Sequence, residues 1–88
     1  MSDDLAHRRN RARFRAWHRG TREADYVFGG FFDRHHAGWR ETDLAWFEAL
    51  LDEDDVDVLA WAFGAAEPPP ALSGQNMDAL RRLDFVTI

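Results

Sequence analysis

Apolar residues recur along this chain every three or four positions, in stretches separated by short breaks rich in glycine, proline or acid. That spacing puts apolar side chains on one face of an α-helix. The first stretch predicts a helix from about His7 to His18, free of Gly and Pro, with Phe14 and Trp17 three apart on one face. Gly20 ends it, as a glycine just past a helix C-terminus commonly does. Thr21 is placed to cap a second helix whose first turn is Arg22, Glu23 and Ala24, with the Glu23 carboxylate favoured beside the positive end of the helix dipole. Ala24, Phe28, Phe31 and His35 step by four, three and four, with Val27 and Phe32 alongside, which marks this as the core helix.

Gly38 breaks that helix, and Glu41 or Thr42 opens a third in which Leu44, Phe47 and Leu51 share a face flanked by Trp46 and Leu50. Asp54 and Asp55 then supply a cap for a fourth helix from about Val56 to Phe63, containing Trp61 and ended by Gly64. Pro68, Pro69 and Pro70 have no amide hydrogens and predict an extended connector. A fifth helix is expected from about Gln75 to Leu83, capped by Ser73 or Asn76, with Met77, Leu80 and Leu83 inward. No segment sustains a period of two between hairpin turns. The expected fold is all-α, a compact bundle of five short helices over residues 7–83, with a flexible lead-in at 1–6 and an extended, mobile tail at 84–88.

Composition narrows this further. Eighty-eight residues make one domain, and the absence of cysteine excludes disulfides and thiolate metal sites. Four Trp, seven Phe and one Tyr are a large aromatic load for so short a chain, each able to bury roughly 150–250 Å². The longest apolar run, Tyr26 to Phe32, is seven residues with two glycines, far from the roughly 20 that span a bilayer. Asp3 and Asp4 at the start and the lack of a hydrophobic signal core argue against a targeting segment, so the expected location is cytoplasmic, without membrane insertion.

Charge is unevenly distributed. Residues 1–22 hold seven Arg against two acids, whereas 23–88 hold four Arg against fourteen acids. Arg8, Arg11, Arg15, Arg19 and Arg22 step by three, four, four and three, which suggests a stripe able to neutralise phosphates. The acidic remainder opposes a nucleic-acid partner, and a small Arg-rich nucleic-acid-binding helical protein is the alternative reading. The acids Glu41, Asp43, Glu48, Asp52, Glu53, Asp54, Asp55 and Asp57 lack the spacing of a calcium loop and read as a solvated helix face with caps. His35 and His36 point about 100° apart on a helix and, with no His-Glu-x-x-His spacing, do not suggest a metal site. The densest chemistry is Trp17-His18-Arg19-Gly20-Thr21-Arg22-Glu23: two guanidiniums, an imidazole and a carboxylate around a glycine that turns the chain between two helices. It contains no activated nucleophile and no phosphate cradle.

Arg19-Gly20-Thr21-Arg22-Glu23 resembles the Arg-Gly-x-x-Glu motif of the small SdhE-type assembly factors. The likeness extends over roughly residues 8–83: Phe14-Arg15-Ala16-Trp17-His18 before the motif, Glu23-Ala24-Asp25, Gly29 and Phe31-Phe32 after it, then Phe47-Glu48-Ala49-Leu50-Leu51 and the Asp54-Asp55 cap leading to Trp61. Val56 stands where that family often has Pro, and Trp39 and Pro70-Ala71 match nothing in it. The resemblance implies a five-helix fold. It also implies a chaperone-like role: binding the flavoprotein subunit of succinate dehydrogenase or fumarate reductase and promoting covalent attachment of FAD there. On that likeness the chain is not itself an enzyme and binds no cofactor stably. Arg19, Gly20 and Glu23 would be the contact centre, with Arg11, Arg15, His18, Arg22, Asp25 and Trp61 around it.

Overall fold

Helix boundaries fall where local backbone chemistry changes. The computed structural model describes residues 2–85 and contains five helices: α1 Ser2–Trp17, α2 Arg22–His35, α3 Glu41–Leu51, α4 Asp55–Ala62 and α5 Gln75–Arg82, with single 3₁₀ turns at His36–Gly38 and Pro70–Leu72. No strand occurs among the described residues. Thr21 caps α2 as expected, its Oγ1 accepting from the Ala24 amide at 3.2 Å. At α3 the Asp43 carboxylate reaches back to the Arg40 amide at 3.0 Å, satisfying a backbone donor at the helix start. Gly64 closes α4 at φ +80°, a conformation glycine adopts without strain.

Several expectations are corrected. Helix α1 begins at Ser2, so residues 2–6 are helical rather than a flexible lead-in, and Leu5 packs against the core. Neither Ser73 nor Asn76 caps α5: Gly74 does, at φ +128°, while Ser73 Oγ donates to the Pro69 carbonyl and Asn76 Nδ2 reaches across to Asp43 at 2.9 Å. Asn76 serves α3 instead, and its hydrogen bond is the first reason the Asp43 carboxyl sits below its usual range. Pro70 opens a 3₁₀ turn, because its fixed φ suits a first helical position. Phe85 packs in T-shaped contact on Phe31, 5.3 Å between centroids, and so is not part of a loose tail. Residues 86–88 of that expected tail lie outside the described residues.

The core forms around α2. Phe28, Phe31 and Phe32 are fully buried and meet Phe47 of α3, with Leu44, Leu50, Leu51, Val58, Met77 and Leu80 closing the sides. Trp39, from the segment joining the 3₁₀ turn to α3, is also buried and lies 5.2 Å from Phe47. Helix α1 packs on α2 and α3 through two small residues, Ala12 and Ala16, which let it approach closely. Phe14, about 200° round the helix from Ala12, stays off that inner face and is 62 % exposed. Trp17, half-buried, is accommodated by Gly29: a Cβ there would overlap its indole ring. The next residue, Gly30, admits Phe85, whose ring and carbonyl would each lie 3.3 Å from an added Cβ.

The uneven charge resolves into a seam. Arg8 donates to Glu41 (3.1 Å) and Glu48 (2.8 Å), Arg15 to Asp52 (2.8 Å), and Arg19 to Asp55 (2.8 Å), so successive turns of α1 and the turn after it grip α3 and the start of α4. Four of the eight acids read as a solvated face are therefore paired within the molecule. At the far end of α2, His36 stacks flat on Phe32 (4.6 Å, 2°) and His35 packs on Phe31, each leaving one buried ring nitrogen without a partner.

Desolvation holds both imidazoles below the ordinary value of 6.5; Arg13 and Arg9 reinforce this at His36, and Arg34 and Arg82 at His35, opposed by Asp84 and, for His36, Asp33. The unfolded chain thus binds more protons than the fold in the interval below 6.5, and stability declines as pH falls through it. Thermal melts should show a lower Tm at pH 5.5 than at pH 7.5, and His36→Phe, which keeps the stack and removes a titrating group, should flatten that dependence. Gly29→Ala should destabilise the fold by about 1–3 kcal/mol in urea titration, because the indole of Trp17 must move.

Candidate partner-docking site

The turn between α1 and α2 is built from residues that leave little freedom. Gly20 takes φ +112°, where an L side chain is strained, although an added Cβ would meet nothing within 4 Å. The Asp25 carboxylate accepts from the Arg19 amide at 2.7 Å and ties the turn to the first turn of α2. The Arg19 side chain then runs inward. Its Nε donates to Asp55 Oδ1 (2.8 Å), Nη1 to the Leu51 carbonyl (2.8 Å) and Nη2 to the Glu53 carbonyl (3.0 Å), while the guanidinium carbon sits 4.2 Å from the Phe28 ring centroid. The side chain is 12 % exposed. Every donor group of the fork is engaged, so Arg19 joins the α1–α2 turn to the α3–α4 turn and does not present its charge outward.

What the turn does present is Gly20, Arg22 and Glu23, all exposed. Arg22 and Glu23 make no side-chain hydrogen bond or ion pair among the described residues, and neither does the exposed Arg11 on α1. Arg15 is divided between Asp52 and the Leu51 carbonyl and keeps part of its surface in solvent. His18 is exposed and stacks on Phe14 (4.0 Å, 18°), with Nδ1 2.6 Å from the Phe14 carbonyl. A carbonyl only accepts, so Nδ1 carries the hydrogen and the neutral ring offers Nε2 as an outward acceptor.

Trp61 is a correction. It is 7 % exposed and packs inward with Val58 and Ala62, because positions three and four apart share the buried face of α4. Two exposed aromatics not assigned to the site by sequence reasoning flank it instead: Phe14, and Tyr26, which meets Trp17 edge-on at 6.3 Å. The signal for Phe14 was available in Ala12 and Ala16, which mark the inner face of α1 and leave Phe14 outside. His18 stands between two open recesses. One, about 350 Å³, is lined by Phe14, Arg15, His18, Arg19, Glu53, Asp54 and Asp55. The other, about 520 Å³, is lined by Trp17, His18, Gly20, Thr21, Arg22, Asp25 and Tyr26. Among the described residues no three His, Cys, Asp or Glu side chains converge as a metal site.

One mixed-charge, aromatic-flanked turn is thus held at the surface of a helical scaffold. The chain belongs to the family described as flavinator of succinate dehydrogenase, which matches residues 10–84. It is 39% identical over 67 residues to the FAD assembly factor SdhE of Acetobacter pasteurianus, covering 76% of this chain and 62% of that one. It is 29% identical over 81 residues to the FAD assembly factor SdhE of Acinetobacter baylyi, covering 92% and 94%. The chain thus spans less than two thirds of the Acetobacter protein and nearly all of the Acinetobacter one. No solved structure matches it.

Removing the inward fork would leave the Glu53 carbonyl and the Asp55 carboxylate without their donor and the Leu51 carbonyl with Arg15 alone. Arg19→Gln should therefore lower unfolding stability by about 2–3 kcal/mol, measured by urea titration with circular dichroism.

Proposed function

We propose that this chain binds the flavoprotein subunit of succinate dehydrogenase, or of fumarate reductase, and promotes covalent attachment of FAD within it. The observation that carries the reading is the rigid outward display of Gly20 and Glu23 on a turn anchored by Arg19, in a chain of this family. FAD is the partner's cofactor, joined there to a histidine, and this chain holds none stably. Bond formation proceeds autocatalytically in the flavoprotein; the adaptor contributes by keeping the acceptor histidine and the flavin ring in register, which is proximity supplied in trans.

Each residue has a definite task in this reading. Gly20 lacks a side chain where the partner surface must come close, and open space around it leaves room for that approach. Glu23 lies in the first turn of α2, where the helix dipole favours its carboxylate, and can orient a donor across the interface. His18 adds an acceptor at Nε2, and Arg11, Arg15, Arg22 and Asp25 complete a surface of mixed sign, which suits a protein partner. Arg19 shapes the site from beneath. The nucleic-acid alternative required an open stripe of five guanidiniums, whereas Arg8, Arg15 and Arg19 face acids of the same molecule. No helix among the described residues is long and apolar enough to cross a membrane.

Co-expression of the flavoprotein with and without this chain, scored by covalent flavin fluorescence on a denaturing gel, tests the reading. Glu23→Ala should cut the flavinylated fraction severalfold with an unchanged Tm. Gly20→Arg should abolish it while the chain stays helical, at a cost of about 1–2 kcal/mol for placing a side chain at positive φ. Full flavinylation supported by folded Gly20→Arg would sink the docking reading.

A further inference from the structure

The recess between the end of α1 and the α3–α4 turn has a charge balance that the docking turn does not use. Both guanidiniums lining it already face an acid: Arg15 on Asp52, through Nη2 that also reaches the Leu51 carbonyl, and Arg19 on Asp55 and the carbonyls of Leu51 and Glu53. Two lining carboxylates remain. The side chains of Glu53 and Asp54 have no hydrogen-bond or ion-pair partner among the described residues, and Asp54 does not use its side chain to cap α4. The facing wall is Phe14, a large aromatic left 62 % exposed on a helix whose inner face is alanine. An exposed aromatic ring, stacked on His18 on one face, that shares a recess with two uncompensated carboxylates is a surface complementary to a flat, delocalised cation, which can lie against the ring's other face while its fork meets carboxylate oxygens. The volume, about 350 Å³, has room for a long side chain.

We infer that this recess is a second docking point, receiving an arginine side chain of the flavoprotein beside the Gly20–Glu23 contact. The inference rests on the docking reading and deepens it. It is continuous with that site, since His18 and Arg19 belong to both the turn and the recess wall. It also gives the α3–α4 turn a role in recognition: Arg19 ties the Glu53 carbonyl and the Asp55 carboxylate to the turn that carries the motif, so both contacts are presented as one surface.

Two arms test it. In the first, amide NMR spectra of the intact chain are recorded on titration with N-acetyl-arginine amide and, separately, N-acetyl-citrulline amide, its neutral near-isostere. Saturable shifts confined to Phe14, His18 and Glu53–Asp55 with the arginine compound alone are expected, and equal or absent shifts with the two compounds would overturn the inference. In the second, calorimetry measures binding to the purified apo-flavoprotein subunit. The shape-preserving Glu53→Gln/Asp54→Asn variant should bind at least tenfold more weakly and with a shallower salt dependence, and Phe14→Ala at least fivefold more weakly, with unchanged circular dichroism. If the double variant binds within twofold of wild type while Glu23→Ala is weakened, the recess is not a docking point and the docking turn stands. If wild type itself gives no binding, the docking reading fails and this inference fails with it.

Discussion

The structure depends on one inward-turned guanidinium. Arg19 leaves the backbone just after α1 ends and reaches under the turn to two carbonyls, a carboxylate and an aromatic face on other elements. Carbonyls at the end of α3 have no intrahelical donors left; that of Leu51 is met by this side chain together with Arg15, and that of Glu53 by this side chain alone. A single residue thereby completes the C-terminus of one helix, faces the first acid of the next and fixes the turn from which it came. The other ion pairs of the seam are more exposed and individually weak, but they align α1 along α3 so that Arg19 arrives where it is needed. The apparent conflict between a basic start and an acidic remainder is in this sense a folding instruction.

Around that anchor, packing is governed by contrasts in side-chain size. Helix α1 contributes alanines where α2 contributes phenylalanines, so the two axes come close without overfilling the interior. The adjacent glycines of α2 act likewise, one under Trp17 and the next under Phe85. The α1–α2 turn consequently rests on a densely packed aromatic base. Such a base resists small displacements of Gly20 and Glu23.

Much of this was legible in the residues. The five helices, the Thr21 cap, the glycine breaks at Gly20 and Gly64 and the core face of α2 follow from periodicity and local capping chemistry, which a linear chain displays directly. What was misread required knowledge of partners distant in sequence. Asn76 looked like a cap because it precedes a helix, but Asp43, 33 positions earlier, was a better acceptor for it. Trp61 was named on the likeness to the family, yet its spacing from Val58 and Ala62 put it inside. Phe14 was seen to share a face with Trp17, but that the alanines Ala12 and Ala16 hold the inner positions was not drawn from the sequence. The Arg series was correctly seen as periodic, but periodicity does not tell a stripe facing solvent from one facing an acidic neighbour. The motif was visible as a dense cluster of charge at a turn; that its arginine runs inward beneath that turn was not.

The glycine pair has a practical consequence for handling the molecule. Through Gly29 and Gly30, Trp17 and Phe85 come to line one recess together with Tyr26, and Phe85 itself packs over the second half of α2 against Phe31 and His35. The opposite end begins sixteen residues up α1, about 24 Å from the α1–α2 turn along the helix axis. The two ends of the fold are therefore unequal as attachment points. A fluorophore, affinity handle or surface linker placed at the start of α1 stands a helix length from the α1–α2 turn, whereas a substitution at Phe85 removes the ring that the Gly30 gap admits.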